Sequence, residues 1–233
     1  MNWSKLTDDP LNKNIKLLIQ KHLNSISHLY SKDLLSFFCE KSLDRKVLHI
    51  GCYEHNNNYM NSDSWKHKQI HKVSRKCIGV DINKKGIQFM NKLGFAAIYA
   101  DATSNKFLGS KFNVLIAGDV IEHVQNIKGF MKFLRRHLST NGRIYISSPN
   151  PFFFSHVLSA WTSRPMVANF EHTTWISEST MLEICRRSKF TLEKIIYPIG
   201  KSNKSIFLRL IKTLTFKLGG TFFFTTIIYE LKK

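Results

Sequence analysis

Four short apolar runs in the first half of the chain each stop at a glycine or an aspartate. Val47–Ile50 precedes Gly51, Cys77–Val80 precedes Asp81, Phe95–Ala100 precedes Asp101, and Phe112–Ala117 precedes Gly118-Asp119. A fifth run, Arg143–Ser147, ends at Ser148-Pro149. Runs this short, bounded by turn residues, read as buried strands. Between them, Asn83–Leu93 and Ile127–Leu138 carry helical apolar spacing, and Asn141-Gly142 stops the second. Strands alternating with helices predict a Rossmann-like, doubly wound α/β sheet of mostly parallel strands. Ligands of such sheets bind beyond the carboxyl ends of the strands. Gly51, Asp81, Asp101 and Asp119 all fall at such ends.

The flanks follow other patterns. Leu11, Ile15, Leu18, Ile19, Leu23 and Ile26 recur at helical spacing, and a second short helix is expected over Lys32–Lys41. Residues 1–44 are therefore expected to be an N-terminal helical segment, and 45–233 the main domain. The polar stretch 52–76 reads as a loop and a helix. Beyond residue 150, Ser177 is placed to cap a helix ending at Ser188. Phe190–Tyr197 and Phe222–Leu231 read as two strands, expected to close the sheet as an antiparallel pair. Between them Ile206, Phe207, Leu210, Ile211 and Leu214 make a helical stripe beside Lys204, Arg209, Lys212 and Lys217, and no acid lies in 201–217. The run Phe152–Phe154 is expected in the core, because three adjacent residues cannot all face one way. Trp161 and Trp175 are expected to pack or to line an acceptor pocket.

Composition narrows the partners. Thirty-five Lys and Arg against 16 Asp and Glu give a net charge of +19. That excess suits nucleic acid or an anionic membrane surface, and Lys- and Asn-rich usage also follows from genome composition alone. Cys39, Cys52, Cys77 and Cys185 contain no CxxC spacing, which excludes a zinc ribbon and a thioredoxin motif. They read as reduced core thiols of a cytosolic protein. Met1–Pro10 has no apolar signal core. The longest uncharged run, Leu218–Tyr229, is too short to span a bilayer and contains Gly219 and Gly220. A cytoplasmic protein, soluble or peripheral to the inner membrane face, is expected.

The strand-end residues suit an adenosine ligand. Glycine lets the backbone approach closely. A carboxylate at the second strand end can accept from both ribose hydroxyls. One at the third can accept from an adenine amine, because an ionised carboxylate only accepts. The absence of GxGxxG after the first strand argues against a nicotinamide dehydrogenase.

In these residues the sequence resembles the class I S-adenosylmethionine-dependent methyltransferases over about residues 45–200. The segments are VLHIGC (47–52), CIGVDINKKGI (77–87), YADAT (99–103), FNVLIAGDVIEHVQN (112–126), FLRRHLSTNGRIYISSPNP (133–151) and HTTWISESTMLEICRRSKF (172–190). The resemblance implies a seven-stranded sheet with an antiparallel last strand, and S-adenosyl-L-methionine as cofactor. It places His49, Gly51, Asp81, Ile82, Asp101, Ala102, Gly118 and Asp119 around that cofactor. Gly51 would lie under the methionine part, Asp81 at the ribose and Asp101 at the adenine amine. Where the family has an acid and then glycines, this chain has His49, Tyr53 and His55. The HIGC variant resembles methyltransferases associated with surface-polysaccharide assembly.

Asp119, His123 and His172 are the candidate catalytic residues, with Glu122 a further candidate base; an oxygen acceptor needs its proton removed. Asp119, Glu122 and His123 at helical spacing, with His156 or His172, resemble the metal-binding E-x-x-E-H of some O-methyltransferases. Carboxylates near a cofactor and a structural histidine are the better reading, and no metal is expected. The expected function is O-methylation of a small molecule, sugar or lipid-linked glycan, with peripheral contact to an anionic membrane through 204–217. An RNA methyltransferase and a non-catalytic binding domain are the alternatives.

Overall fold

The computed structural model describes residues 12–54, 60, 62–165, 169–200, 214 and 220–233. Its strands are β1 (Ser27–Ser31), β2 (Lys46–Ile50), β3 (Lys76–Asp81), β4 (Ala97–Tyr99), β5 (Phe112–Gly118), β6 (Leu138–Pro149), β7 (Thr191–Pro198) and β8 (Thr226–Lys232). They form one sheet in the order β1-β7-β8-β6-β5-β2-β3-β4. Only β8 is antiparallel, to β6 on one side and β7 on the other. Strand order reverses between β2 and β5, which pair in parallel. A crevice opens at such a switch point, and here it lies between Gly51 and Gly118.

The sheet has eight strands rather than the expected seven. The extra one, β1, pairs in parallel with β7, Ser27 opposite Lys194. It interrupts the helical stretch expected over 11–40 and leaves α1 (Lys13–Ser25) and α2 (Leu34–Ser42) on either side. The expected third strand shortens to Ala97–Tyr99, and Phe95 instead packs edge-on against Trp65, ring centres 4.8 Å apart. The basic helix expected over 204–217 lies outside the described residues, Leu214 excepted.

The remaining helices are α3 (Lys66–Val73), α4 (Lys84–Lys92), α5 (Ile127–His137), α6 (Phe154–Trp161) and α7 (Glu178–Ser188). Side-chain caps set where several begin. Asn83 accepts from the Gly86 N–H at 2.9 Å, Asn126 from Gly129 at 2.9 Å, and Ser177 from Thr180 at 3.2 Å. The first two fix α4 and α5 just beyond β3 and β5, at the crevice.

Alternate residues of the central strands feed two cores. Leu48, Leu115, Ala117 and Ile146 meet Phe130, Phe133 and Leu134 of α5 and Met181 of α7. Val47, Val114, Ile116 and Tyr145 meet Phe37 and Phe38 of α2 and Ile70 of α3. None of the four cysteines forms a disulfide, and three of them are buried, which fits the core-thiol reading. The Phe152–Phe154 run does not join either core: Phe152 and Phe154 are exposed.

Asn150, buried beyond β6, ties the stretch before β8 in place. Its Nδ2 donates to the Phe224 carbonyl at 2.8 Å and the Thr221 carbonyl at 3.0 Å, and its Oδ1 accepts from the Phe152 N–H at 3.0 Å. Asn150→Ala removes these partners from the Phe224 carbonyl and the Phe152 N–H and leaves the Thr221 carbonyl with only the Phe224 N–H. Urea unfolding is expected to show a loss of about 2–4 kcal/mol; a loss no larger than that of a surface substitution would contradict this anchoring.

Candidate active site

Two adjoining chambers open at the carboxyl ends of β2, β3 and β5. The first, about 570 Å³, is lined by Asp81, Ile82, Asp101 and Ala102, together with Tyr99, Thr103, Gln125 and Asn126. The second, about 520 Å³, holds Gly118, Asp119, Glu122 and His172, together with Glu54, Lys66 and Glu171. Gly51, Ile82, Val120 and His123 border both. A larger cavity of about 840 Å³ between α5 and α7 contains none of these strand-end residues.

Gly51 makes the join possible. Its φ is +70°, and a Cβ there would lie 2.4 Å from Val120 Cγ2, so any side chain would both strain the turn and close the passage. Downstream of Gly51, Tyr53 stands where the family carries glycine. Its ring lies against Gly86 of α4, where a Cβ would come within 2.4 Å of it. A glycine on the helix thus makes room for the side chain gained in the loop. His55 lies outside the described residues.

The two strand-end carboxylates are held by backbone. Asp81 accepts from the Asn83 N–H at 2.9 Å and the Tyr53 N–H at 3.1 Å. Asp101 accepts from the Thr103 N–H at 2.7 Å and its hydroxyl at 2.9 Å. Each oxygen keeps a second lone pair for a ligand. Ile82, 70% exposed, and Ala102 supply apolar wall to the same chamber. Those residues, with the bare Gly51 backbone, fit a ribose and a flat purine.

His49 stands apart from both chambers. In β2 its side chain points to the opposite face from Ile50, where its Nδ1 lies 3.1 Å from His67 Nδ1 of α3. Burial holds both imidazoles well below their usual pKa.

In the second chamber Asp119 takes up a left-handed backbone, φ +57°, uncommon for a residue with a Cβ. Ser147 fixes it: the Asp119 N–H lies 3.0 Å from Ser147 Oγ, and that hydroxyl donates to Asp119 Oδ1 at 2.8 Å. Lys66 Nζ lies 3.4 Å from Asp119 Oδ2 and 3.8 Å from Glu54 Oε1. Asp119 therefore precedes the short 3-10 turn Ile121–His123 rather than sharing a helical turn with Glu122 and His123.

Glu122 is 1% exposed, and neither carboxylate oxygen completes a well-formed hydrogen bond among the described residues, although its own backbone N–H and the Ser148 hydroxyl lie nearby. Burial, reinforced by the charge of Asp119, pushes its pKa up to about 7. The Glu122 carbonyl accepts from the Thr173 N–H at 2.8 Å. That bond draws in the segment carrying His172, whose ring meets His123 edge-on at 4.8 Å. Burial lowers the pKa of His172, and His123 adds to the effect. His123 Nδ1 also faces Glu171 Oε2 at 3.9 Å.

Ligand atoms of Glu122, His123 and His172 lie within 4.8 Å of one another. An unpaired carboxylate and two imidazoles fit a divalent cation, which would supply Lewis-acid polarisation. Asp119 and His156 are not in this group. Sequence reasoning did not single out Lys66 and Glu54, because a polar, irregular stretch carries no periodic signal.

The methyltransferase-domain family matches residues 20–195. The ubiquinone biosynthesis O-methyltransferase of Pelagibacter ubique (strain HTCC1062) is 22% identical over 209 residues, 83% of each chain. A solved SAM-dependent methyltransferase from Archaeoglobus fulgidus superposes with a TM-score of 0.55 at 17% identity, covering 94% of this chain and 93% of that one. Magnesium protoporphyrin IX methyltransferase from Synechocystis PCC 6803, solved with bound SAH, gives 0.55 at 14% identity over 97% and 90%.

Proposed function

This chain belongs to the S-adenosylmethionine-dependent methyltransferase-domain family, and we propose that it methylates an oxygen of a small-molecule, sugar or lipid-linked glycan acceptor. The observation that carries this reading is the meeting of two chambers at Gly51 and His123, one suited to an adenosine and one rich in proton acceptors. The likeness to an O-methyltransferase relative supports an oxygen acceptor. Bound in the first chamber, S-adenosylmethionine supplies an electrophilic methyl group on a sulfonium. Its transfer would exchange the methyl C–S bond for a methyl C–O bond, leaving S-adenosylhomocysteine and the hydroxyl proton.

The chain's own residues divide the work. Asp81 holds the ribose hydroxyls and Asp101 the adenine amine, with Ile82 and Ala102 against the base. Gly51 and Gly118 leave room at the passage for the two reactants to meet in line. Asp119, locked by Ser147, holds a carboxylate in the second chamber that would favour a positively charged methyl donor. Glu122 takes the acceptor proton, since a base with a pKa near neutrality is both available and effective. His123 and His172 orient the acceptor hydroxyl toward it.

Calorimetric titration with S-adenosylhomocysteine tests the first chamber. Tight binding is expected, weakened in Asp81→Ala and Asp101→Ala by about 10- to 100-fold each, the range of a charge-assisted hydrogen bond. No binding at millimolar ligand to a folded protein would refute the enzyme reading and favour the non-catalytic one. Glycan, lipid and RNA acceptors then discriminate substrate; steeply salt-dependent binding to RNA would favour the RNA alternative.

A further inference from the structure

α6 turns its apolar stripe to solvent. Phe154, Leu158 and Trp161, at spacings of four and three, share one helical face and are 41%, 38% and 84% exposed. No residue of α6 is buried. A surface helix ordinarily faces its apolar stripe to the core. The stripe continues beyond the helix: Phe154 meets Phe222 at 5.7 Å between ring centres, and Phe152 and Phe222 are themselves exposed. So much contiguous apolar side chain marks an interaction surface.

That surface lies at the rim of the second chamber. Rings run inward from it, Phe153 to His156 at 5.8 Å, His156 to Trp175 at 5.2 Å, Trp175 to His172 at 6.2 Å, and His172 to His123 at 4.8 Å. Phe170, fully exposed, falls between Asn169 and Glu171, which line the chamber.

Charge says what covers the face. The chain carries +19, and residues 201–217 contain Lys201, Lys204, Arg209, Lys212 and Lys217 with no acid. Lys217, the last of the five, stands five residues before Phe222 in the chain, at the edge of the stripe. No helix among the described residues is long and apolar enough to cross a membrane. Exposed Phe, Leu and Trp in a chain with this excess of Lys and Arg suit the interface of an anionic bilayer, where rings enter the headgroup boundary and positive charge favours lipid phosphates.

We propose that the face of α6, with Phe152 and Phe222, docks on an anionic lipid surface, and that the acceptor is a lipid-borne molecule taken from that surface. Its polar head enters the chamber of Glu122, His123 and His172 while its tail stays in the bilayer. The second half rests on the methyl-transfer reading above; the docking does not.

Flotation of the full chain with vesicles tests it. Cosedimentation is expected with phosphatidylcholine–phosphatidylglycerol vesicles and not with phosphatidylcholine alone, together with a blue shift of tryptophan fluorescence. Leu158→Ser/Trp161→Ser, at exposed sites, should lose about tenfold or more in vesicle affinity, given what one buried apolar side chain contributes, with S-adenosylhomocysteine affinity unchanged. Trp161→Phe should keep the affinity and lose most of the fluorescence shift. Failure to bind anionic vesicles, or equal binding by the double variant, overturns the proposal. So does a dimer that the double variant dissociates while the unaltered chain ignores vesicles, since a second copy then covers the face. Vesicle binding without S-adenosylhomocysteine binding leaves the docking standing and defeats only the methyl-transfer reading.

Discussion

Glu122→Gln is expected to lower methyl-transfer turnover by about 10²- to 10⁴-fold, the usual contribution of a positioned general base, with S-adenosylhomocysteine affinity unchanged. The pH profile carries the assignment. In the unaltered protein the rate should rise as pH increases through about 7, because the base must be ionised and burial has pushed its pKa up to about 7. In the variant that limb should vanish. Stability should move the opposite way to activity. A carboxyl whose folded pKa is raised from 4.5 to about 7 fits the fold best when protonated. Its contribution is complete below pH 4.5 and is lost as pH rises through 7. At pH 8 the ionised, unpaired carboxylate costs about 3 kcal/mol, which glutamine removes. Calorimetric melting should therefore show Glu122→Gln more stable than the unaltered chain at pH 8 and nearly equal at pH 5. A variant that is less active and also less stable at both pH values would make Glu122 a structural residue and leave the proton to His172.

The strand ends were legible because one local feature serves both fold and site. A short apolar run ending in glycine or aspartate specifies a buried strand and also delivers that residue to the crevice, as Gly51, Asp81, Asp101 and Asp119 are delivered. The Ser177 cap was legible for the same reason, since its partner is three residues away. What was missed is non-local. Ser27–Ser31 is a strand because β7 supplies its hydrogen bonds, and its own five residues show no clean alternation of burial. His172 reaches His123 through a bond from the Thr173 N–H to the Glu122 carbonyl, which no spacing rule anticipates. His49 was assigned to the cofactor by its place in a motif. A one-residue step along a strand decides which face a side chain takes, and the side chain that lines the chamber is that of Ile50, next to the Gly51 turn.

Acid should unfold this protein through His49 and His67. Both rings are fully buried, stacked 5.3 Å apart and joined Nδ1 to Nδ1, and neither Nε2 has a partner among the described residues. One neutral ring donates and the other accepts, so the pair is satisfied only without added protons. Burial depresses both pKa values, that of His67 to about 3, and Lys66 and His71 beside the pair oppose further positive charge. For groups whose folded pKa lies below the unfolded value of 6.5, the stabilisation is complete above pH 6.5 and is lost as pH falls toward the folded pKa. His67 alone removes about 2 kcal/mol by pH 5, and His49 acts in the same direction; together they take a sizeable share of the stability of an ordinary domain. Glu122 works in the opposite direction over part of this range, so the comparison belongs in a Glu122→Gln background. There, chemical denaturation at stepped pH should show a steep acid limb, flattened in His49→Leu/His67→Phe, whose apolar rings and methyls fill similar space without titrating. Parallel acid limbs in the two proteins would remove the pair from the account. Because β2 carries His49 two residues before Gly51 while α3 carries His67 directly after Lys66, protonating the pair separates the two elements that wall the chambers. S-adenosylhomocysteine affinity should therefore fall along the same limb.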